Sequence, residues 1–403
     1  MKPFHIIFDL DGTLVDTSEV AVYQHTSEGR DYLVQNINRL PTRLYDPRMP
    51  EILKVFARHG TLSVWTNSPR PFASAVLAKH GFPALGISPG AKKPDTLSLE
   101  RLIEQCGIPI EQTLVVTDTP LDVLTAHQCK VPILGVTTNT FCTQEQLERS
   151  EPAALCAPGD EMIEKIQAFI RGEIVYQPRA EPQEYWFFPS ESHHLDINPV
   201  PIHSAGDYIP YRRHEPSNTL SKAIMAYKAV KQFTRAEIIQ GLRQRFFAGG
   251  KLIAKETYQE TLGYLKRIFI SALESLDLPG LVYVIPAPNS LPEYCYRIDI
   301  NQYFLSQSLA KTSAHPIDFR IVSRVFPKSE AHTGCRSSQE VHFRTMGCTN
   351  VEFPTPPDHI VIFDDITTTG AQIQCISAIL SHFGIPGTVH AVTLGKTKPD
   401  SPF

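Results

Sequence analysis

Two places in the 403-residue chain set paired carboxylates directly after an apolar run. The first is Phe8-Asp9-Leu10-Asp11-Gly12-Thr13. On an extended chain, side chains at i and i+2 project to the same side, so Asp9 and Asp11 face one spot. Gly12 then lets the backbone turn sharply. Two carboxylates aimed at one place repel unless a cation or a shared proton relieves them, which points to Mg²⁺ and to acid–base work. Taken alone, the same D-x-D-G-T is also what a strand-end turn with a capping aspartate looks like.

Three later segments extend the pattern. The run Leu62–Thr66 leads into Thr66-Asn67-Ser68, a hydroxyl and amide cluster suited to phosphoryl oxygens. Lys92-Lys93-Pro94-Asp95 puts ammonium groups just before a helical pattern, where a compact positive charge neutralises phosphate. Thr113–Thr117 ends in Asp118-Thr119-Pro120-Leu121-Asp122, two more carboxylates suited to a hard cation. Each has a plainer reading as a turn, a solvated lysine pair or a helix cap. Their order, each after a β-type run or before a helix, favours one phosphoryl site with an Mg²⁺ ion.

The second place is Val361-Ile362-Phe363-Asp364-Asp365-Ile366-Thr367-Thr368-Thr369-Gly370. A buried strand runs into Asp364 and Asp365, then Thr367, Thr368, Thr369 and Gly370, then a helix. Loop amides and a helix N-terminus form a phosphate cradle, with threonine hydroxyls as extra donors. Adjacent carboxylates can accept hydrogen bonds from a sugar diol beside that phosphate. A pentose 5-phosphate fits this spacing; an Asp pair capping a helix is the alternative.

Positioning these groups requires two α/β domains, and the chain is long enough for both. Residues 1–172 alternate β-type runs (Phe4–Phe8, Leu62–Thr66, Thr113–Thr117 and Ile133–Val136) with amphipathic segments such as Leu97–Gln105 and Met162–Ile170, the pattern of a parallel sheet. In such sheets ligands sit at the carboxyl ends of strands. Residues 173–205 read as a linker: Pro178, Pro182, Pro189, Pro199 and Pro201 interrupt any helix, and Tyr185, Trp186, Phe187 and Phe188 offer an aromatic anchor against a domain. His193 and His194 there could be metal ligands, but histidines in a linker usually are not. Residues 206–403 carry a second α/β pattern, with helices expected over Leu220–Phe233, Glu260–Leu276 and Ala371–Phe383 and buried strands over Leu281–Ile285 and Ile360–Phe363.

Composition bounds the function classes. The net charge of −4 gives no electrostatic case for nucleic acid or an anionic membrane. None of the eight cysteines forms a C-x-x-C pair, which argues against a zinc ribbon or dithiol redox site. No signal peptide or run of about 20 apolar residues is evident, so the expected location is the cytoplasm.

With D-L-D-G-T-L-V-D-T, T-N-S, K-K-P-D and T-D-T-P-L-D in this order, residues 1–172 resemble the haloacid dehalogenase-like (HAD) phosphohydrolase superfamily. The resemblance implies Asp9 as the nucleophile on phosphorus and Asp11 as general acid and then base. Thr66, with Asn67, would hold the phosphoryl group, and Lys93, or Lys92 in reserve, would offset its charge. Asp118 and Asp122 would complete an Mg²⁺ site with Asp9 and Asp11. Two departures stand out: Thr117 replaces the usual glycine before Asp118, and the stretch Asp16–Pro50 is short for a full helical cap. An abbreviated cap implies an open site.

The run 361–370 resembles the ribose-phosphate loop of type I phosphoribosyltransferases. Val284-Ile285-Pro286-Ala287-Pro288-Asn289 matches where that family binds pyrophosphate. Arg297–Gln302, Ser323-Arg324, Gln339, Arg344 and Asn350 are similar to its ComF-like, competence-associated branch, although the cysteine-rich ribbon of that branch is missing. The resemblance implies that Asp364 and Asp365 hold ribose hydroxyls, that Thr367–Gly370 hold the 5-phosphate, and that Arg324, Lys328 and Arg336 belong to an active-site loop. The resulting expectation is a bifunctional Mg²⁺-dependent enzyme acting on phosphorylated sugars, nucleotides and phosphoribosyl pyrophosphate (PRPP). The alternatives are a phosphatase governed by a non-catalytic PRPP or nucleotide sensor and, from another class, a competence-like protein associated with nucleic acid.

Overall fold

The computed structural model describes residues 3–25, 27–88, 93–94, 96–179, 185–187, 195–209, 218–228, 246–248, 251–253, 255–292, 295, 299–309, 316, 321–328, 339–349 and 353–397. The chain divides into two compact units, Met1–Glu181 and Pro182–Phe403.

In the N-terminal unit, the apolar runs become β1 (His5–Phe8), β2 (Thr61–Val64), β3 (Gly86–Ile87), β4 (Thr113–Thr117), β5 (Ile133–Val136) and β6 (Ala154–Cys156), paired in parallel in the order β3-β2-β1-β4-β5-β6. The central strands are buried on both faces, which is why they read as continuous apolar runs rather than as alternations. Alternate residues serve opposite cores. Ile6, Phe8, Val64 and Val116 pack with Phe72, Val76, Met162 and Ile166 of the helices Arg70–Lys79 and Asp160–Ile170. Ile7, Val115 and Ile133 face Leu99, Leu102, Val123 and Ala126 of the helices Thr96–Cys106 and Pro120–Gln128. His5 is buried and reaches Ser63 Oγ on the neighbouring strand at 2.9 Å, and burial lowers its pKa to about 4.

The strand order reverses between β1 and β4, so their carboxyl ends flank a topological switch point, the crevice where open parallel sheets bind ligands. Both aspartate motifs sit there. The 16–50 insertion is small: a short 3-10 helix at Ser18–His25, a helix at Ser27–Gln35, and an antiparallel pairing of Val15–Asp16 with Arg43–Leu44. Its Val20, Leu33 and Leu40 pack into the core of the unit itself.

In the C-terminal unit, β7 (Ile202–Ser204), β8 (Asp207–Tyr208), β9 (Val282–Pro286), β10 (His359–Thr367) and β11 (Thr388–Thr397) form a parallel sheet. Its order is β7-β11-β10-β9, with β8 also on β11. Helix Lys255–Glu274, helix Thr219–Lys228 and helix Ile300–Leu309 cover one face, and helix Ala371–His382 covers the other. Under β10, Phe363 stacks on Phe304 with centroids 4.9 Å apart, and Phe269 meets both rings edge-on.

Two expectations change. Residues 173–205 are more than a linker: Tyr185–Phe187 pairs with the strand Met346–Thr349, and Ile202–Ser204 is a sheet strand. Pro199 and Pro201 are tolerated because β7 lies at the sheet edge, where a missing N–H breaks no ladder. The strand before the threonines does not stop at Phe363; pairing with β11 carries it through Asp364 and Asp365 to Thr367. The expected helix from Leu220 is described over Thr219–Lys228; residues 229–233 lie outside the described set, as do His193 and His194. Among the described residues no helix is long and apolar enough to cross a membrane.

Truncating Phe363 would open a cavity beneath three packed rings. Phe363→Ala should cost about 3–5 kcal/mol, seen as a lower denaturant midpoint for one of two unfolding transitions.

Candidate active site

Asp9 directly follows β1 in a buried position. Its Oδ1 accepts hydrogen bonds from Leu10 N and from Lys93 Nζ, both at 2.8 Å. Burial raises its pKa to about 7 despite the pull of Lys93; the neighbouring Asp122 and Asp11 add to the rise. The Lys93 ammonium bridges Asp9 to Asp122, with Asp122 Oδ2 at 2.5 Å, and stands 4.3 Å over the Trp65 ring. Burial opposes its charge, but Asp122 and Asp9 together raise its pKa.

Asp11 is held by three hydroxyls. Thr17 Oγ1 donates at 2.7 Å, Ser68 Oγ at 2.6 Å and Thr66 Oγ1 at 3.2 Å. Asn67 brackets the lysine loop, accepting from Lys93 N at 2.7 Å and donating to Lys93 O at 3.5 Å. It therefore positions Lys93. Lys92 lies outside the described residues.

Asp118 ends β4. Its Oδ1 accepts from Thr13 Oγ1 at 2.8 Å, its Oδ2 from Thr138 Oγ1 at 3.4 Å, and its own N–H donates back to Thr13 Oγ1 at 3.0 Å. Burial, with Asp9 nearby, pushes its pKa well above the ordinary carboxylate range. Gly12, at φ +85, is required here: a Cβ would come within 2.2 Å of Asp118 Oδ2 and 2.6 Å of the Phe141 ring. Asp122, in the first turn of the helix Pro120–Gln128, accepts from Thr117 Oγ1 at 2.9 Å. The threonine that departs from the family pattern thus holds a carboxylate.

The four acids expected together do gather at the switch point, with one ammonium among them. Asp122 Oδ1 is buried without a hydrogen-bond partner. All-oxygen donors, excess negative charge and an orphaned buried oxygen suit a hard cation such as Mg²⁺. Among the described residues, no three of the acids close on a single point; Lys93 stands between two of them. Ser68 and Thr17, which grip Asp11, were not singled out in the sequence as site residues. Both sit in quoted runs, Ser68 in Thr-Asn-Ser and Thr17 at the end of D-L-D-G-T-L-V-D-T, but neither run says that its hydroxyl grips Asp11.

The C-terminal unit holds its own cluster. Asp365 Oδ2 pairs with Lys228 Nζ at 2.7 Å, and Asp365 N donates to Asp364 Oδ1 at 2.9 Å. Burial, then the Asp365 charge, raises Asp364 to about 7. Asn301 Nδ2 donates to Ala287 O at 2.8 Å and reaches Asp364 Oδ1 at 3.5 Å. Thr367 is the last strand residue, so the turn itself is Thr368, Thr369 and Gly370. Thr369 Oγ1 accepts from Ala371 N at 3.3 Å, and Gly370 takes φ +75 at the helix N-cap. Arg324, almost fully buried, donates to Asn289 O at 2.9 Å, Gln372 Oε1 at 3.3 Å and Thr345 Oγ1. It borders a cleft with Pro286, Ala287, Pro288, Asn289 and Asp299. Lys328 is anchored through its N–H to Ser290 O at 2.8 Å. Lys228 had no motif to mark it; Arg297, Arg336 and Asn350 lie outside the described residues.

A family model described as HAD-hydrolase-like matches residues 90–159. The chain is 36% identical over 84 residues to a phosphoglycolate phosphatase of Rhodospirillum rubrum, covering 19% of this chain and 35% of that enzyme. It is 27% identical over 203 residues to a phosphoglycolate phosphatase of Vibrio vulnificus, covering 36% of this chain and 89% of that enzyme. Thus the chain spans about a third of the first relative's length and nine-tenths of the second's. A hydrolase structure from Pseudomonas syringae aligns at 17% identity and a TM-score of 0.35, over 41% of this chain and 98% of that one. The family and relative matches support a HAD-like domain in the N-terminal part of the chain.

Proposed function

We propose that the N-terminal unit is a phosphomonoester hydrolase acting through Asp9. The observation that carries this reading is the buried Asp9 carboxylate at the switch point, held by Lys93 and set two residues from an Asp11 gripped by three hydroxyls. An Asp9 oxygen attacks phosphorus, and the bond to the leaving oxygen breaks as Asp11 delivers a proton to it. Water then attacks the acyl phosphate, Asp11 takes back a proton, and orthophosphate leaves with Asp9 restored. Lys93 offsets charge on the transferring group. Asn67 keeps the lysine loop in place, and Thr66 and Ser68 stand beside the phosphoryl position. Mg²⁺, held by Asp9, Asp118, Asp122 and the Asp11 backbone, would supply Lewis-acid stabilisation of the same charge.

For the C-terminal unit we propose a site for a pentose 5-phosphate such as PRPP. It is supported by Asp364 and Asp365 beside the Thr368–Gly370 turn, with Arg324 bordering the neighbouring cleft. Coupled to the phosphatase, phosphoribosyl transfer would yield a nucleoside-like product whose 5-phosphate is then removed. The sensor alternative is favoured by one observation: Lys228 already occupies Asp365. Pyrophosphate release on offering PRPP and a base panel separates the two, since a sensor binds without releasing it. Asp365→Asn should weaken PRPP binding by about tenfold in calorimetry, and unchanged binding would remove the sugar-phosphate reading.

Asp9→Asn should lower phosphatase kcat by at least about a thousandfold with the fold intact by circular dichroism. Mg²⁺ at about 100 times its Kd should stabilise the protein by about 2.7 kcal/mol, read as a rise in Tm. The raised Asp9 and Asp118 carboxyls bind protons in competition with the ion, so this rise should be largest well above pH 7 and shrink as pH falls through 7 toward 5.

A further inference from the structure

The side of the N-terminal site next to Asp118 is lined by hydroxyls. Tyr45 follows the strand pair of the insertion, and its Oη lies 2.5 Å from Thr140 Oγ1 in the loop after β5. Thr138, which also acts on this phenol, reaches Asp118 Oδ2 through its Oγ1 at 3.4 Å. Half-buried, the phenol is pushed up to about 12 and stays a neutral hydroxyl. The Phe141 ring closes over Gly12 beside them. A row of neutral donors and acceptors therefore runs from the insertion to the acidic cluster.

The fixed charges on this side are negative. Asp16 and Asp118 both act on Tyr45. Among the described residues the cations flanking Tyr45 in sequence are already paired: Arg43, two-thirds exposed, to Asp16 at 3.4 Å and Glu19 at 3.1 Å, and Arg48 to Asp46 and Asp160, both at 2.7 Å. A leaving group that carries its own carboxylate would meet Asp16 and Asp118, with Arg43 already engaged. A leaving group rich in hydroxyls would find both donors and acceptors.

We propose that Tyr45, Thr138 and Thr140 recognise the leaving group, and that this site prefers phosphate monoesters of neutral polyhydroxylated alcohols over those with a carboxylate beside the phosphate. This rests on the phosphatase reading. It departs from the substrate that names the curated relatives, and it gives the short insertion a role in selection.

The test is kcat/KM of the full chain with Mg²⁺ for ribose 5-phosphate and glycerol 3-phosphate against 2-phosphoglycolate, with p-nitrophenyl phosphate as the generic ester. The polyol esters should be favoured by about tenfold or more. Tyr45→Phe, and independently Thr140→Val, should reduce that ratio by about two- to tenfold, the worth of one hydrogen bond. Using a ratio cancels any shared loss of folded enzyme. Equal or better turnover of 2-phosphoglycolate, or a ratio unmoved by both variants, overturns the proposal while leaving the phosphatase reading in place. Failure to hydrolyse even p-nitrophenyl phosphate removes that reading, and this one with it.

Discussion

A buried ammonium among carboxylates governs the N-terminal unit. Lys93 reaches Asp9 and Asp122 at once, over an indole face, in a region that Asp11 and Asp118 also border. Placing such charges out of water is costly unless each is paired or hydrogen-bonded. The surrounding loops answer that need atom by atom: Thr13 and Thr138 on Asp118, Thr117 on Asp122, and Thr17, Thr66 and Ser68 on Asp11. One positive charge does not balance four acids, and the unpartnered Asp122 oxygen marks where the imbalance is left. The sheet makes this concentration possible, because its reversal between β1 and β4 brings separate strand ends to one crevice.

Much of this was legible in the sequence for a physical reason. Strands buried on both faces appear as unbroken apolar runs, and the polar residue that ends each run lies at the sheet's carboxyl edge. Asp9, Thr66 and Asp118 could therefore be placed from the pattern Phe4–Phe8, Leu62–Thr66 and Thr113–Thr117 alone. Thr17 could not, since its contact with Asp11 depends on the turn after Gly12 rather than on any period. Asn67, expected beside Thr66 at the phosphoryl group, also accepts from Lys93 N and approaches Lys93 O at 3.5 Å. Sequence order names the polar residues of a crevice but not which of them serve one another.

In the C-terminal unit, legibility failed where strands lack a strong apolar signature. Thr388–Thr397 mixes threonine, histidine, glycine and lysine, yet it is central to the sheet, pairing with β10 and with two short edge strands. Its pairing carries β10 past Phe363, so Asp364 and Asp365 are strand residues whose side chains are fixed by the ladder. Lys228 was equally silent, being one more basic residue at a helix end. Its partnership with Asp365 comes from packing alone.

The segment before residue 206 also bears on how the C-terminal unit could be handled in isolation. Leu195, Ile197 and Val200 pack against the same core as Ile202, and Ile202–Ser204 hydrogen-bonds along Ala391–Thr393. A fragment cut at the proline-rich boundary suggested by composition would shed that strand together with its greasy underside. The newly bared edge of Thr388–Thr397 would then offer unpaired amides to any neighbouring chain, a recipe for fibrous or amorphous association. A soluble fragment has to begin upstream of Leu195.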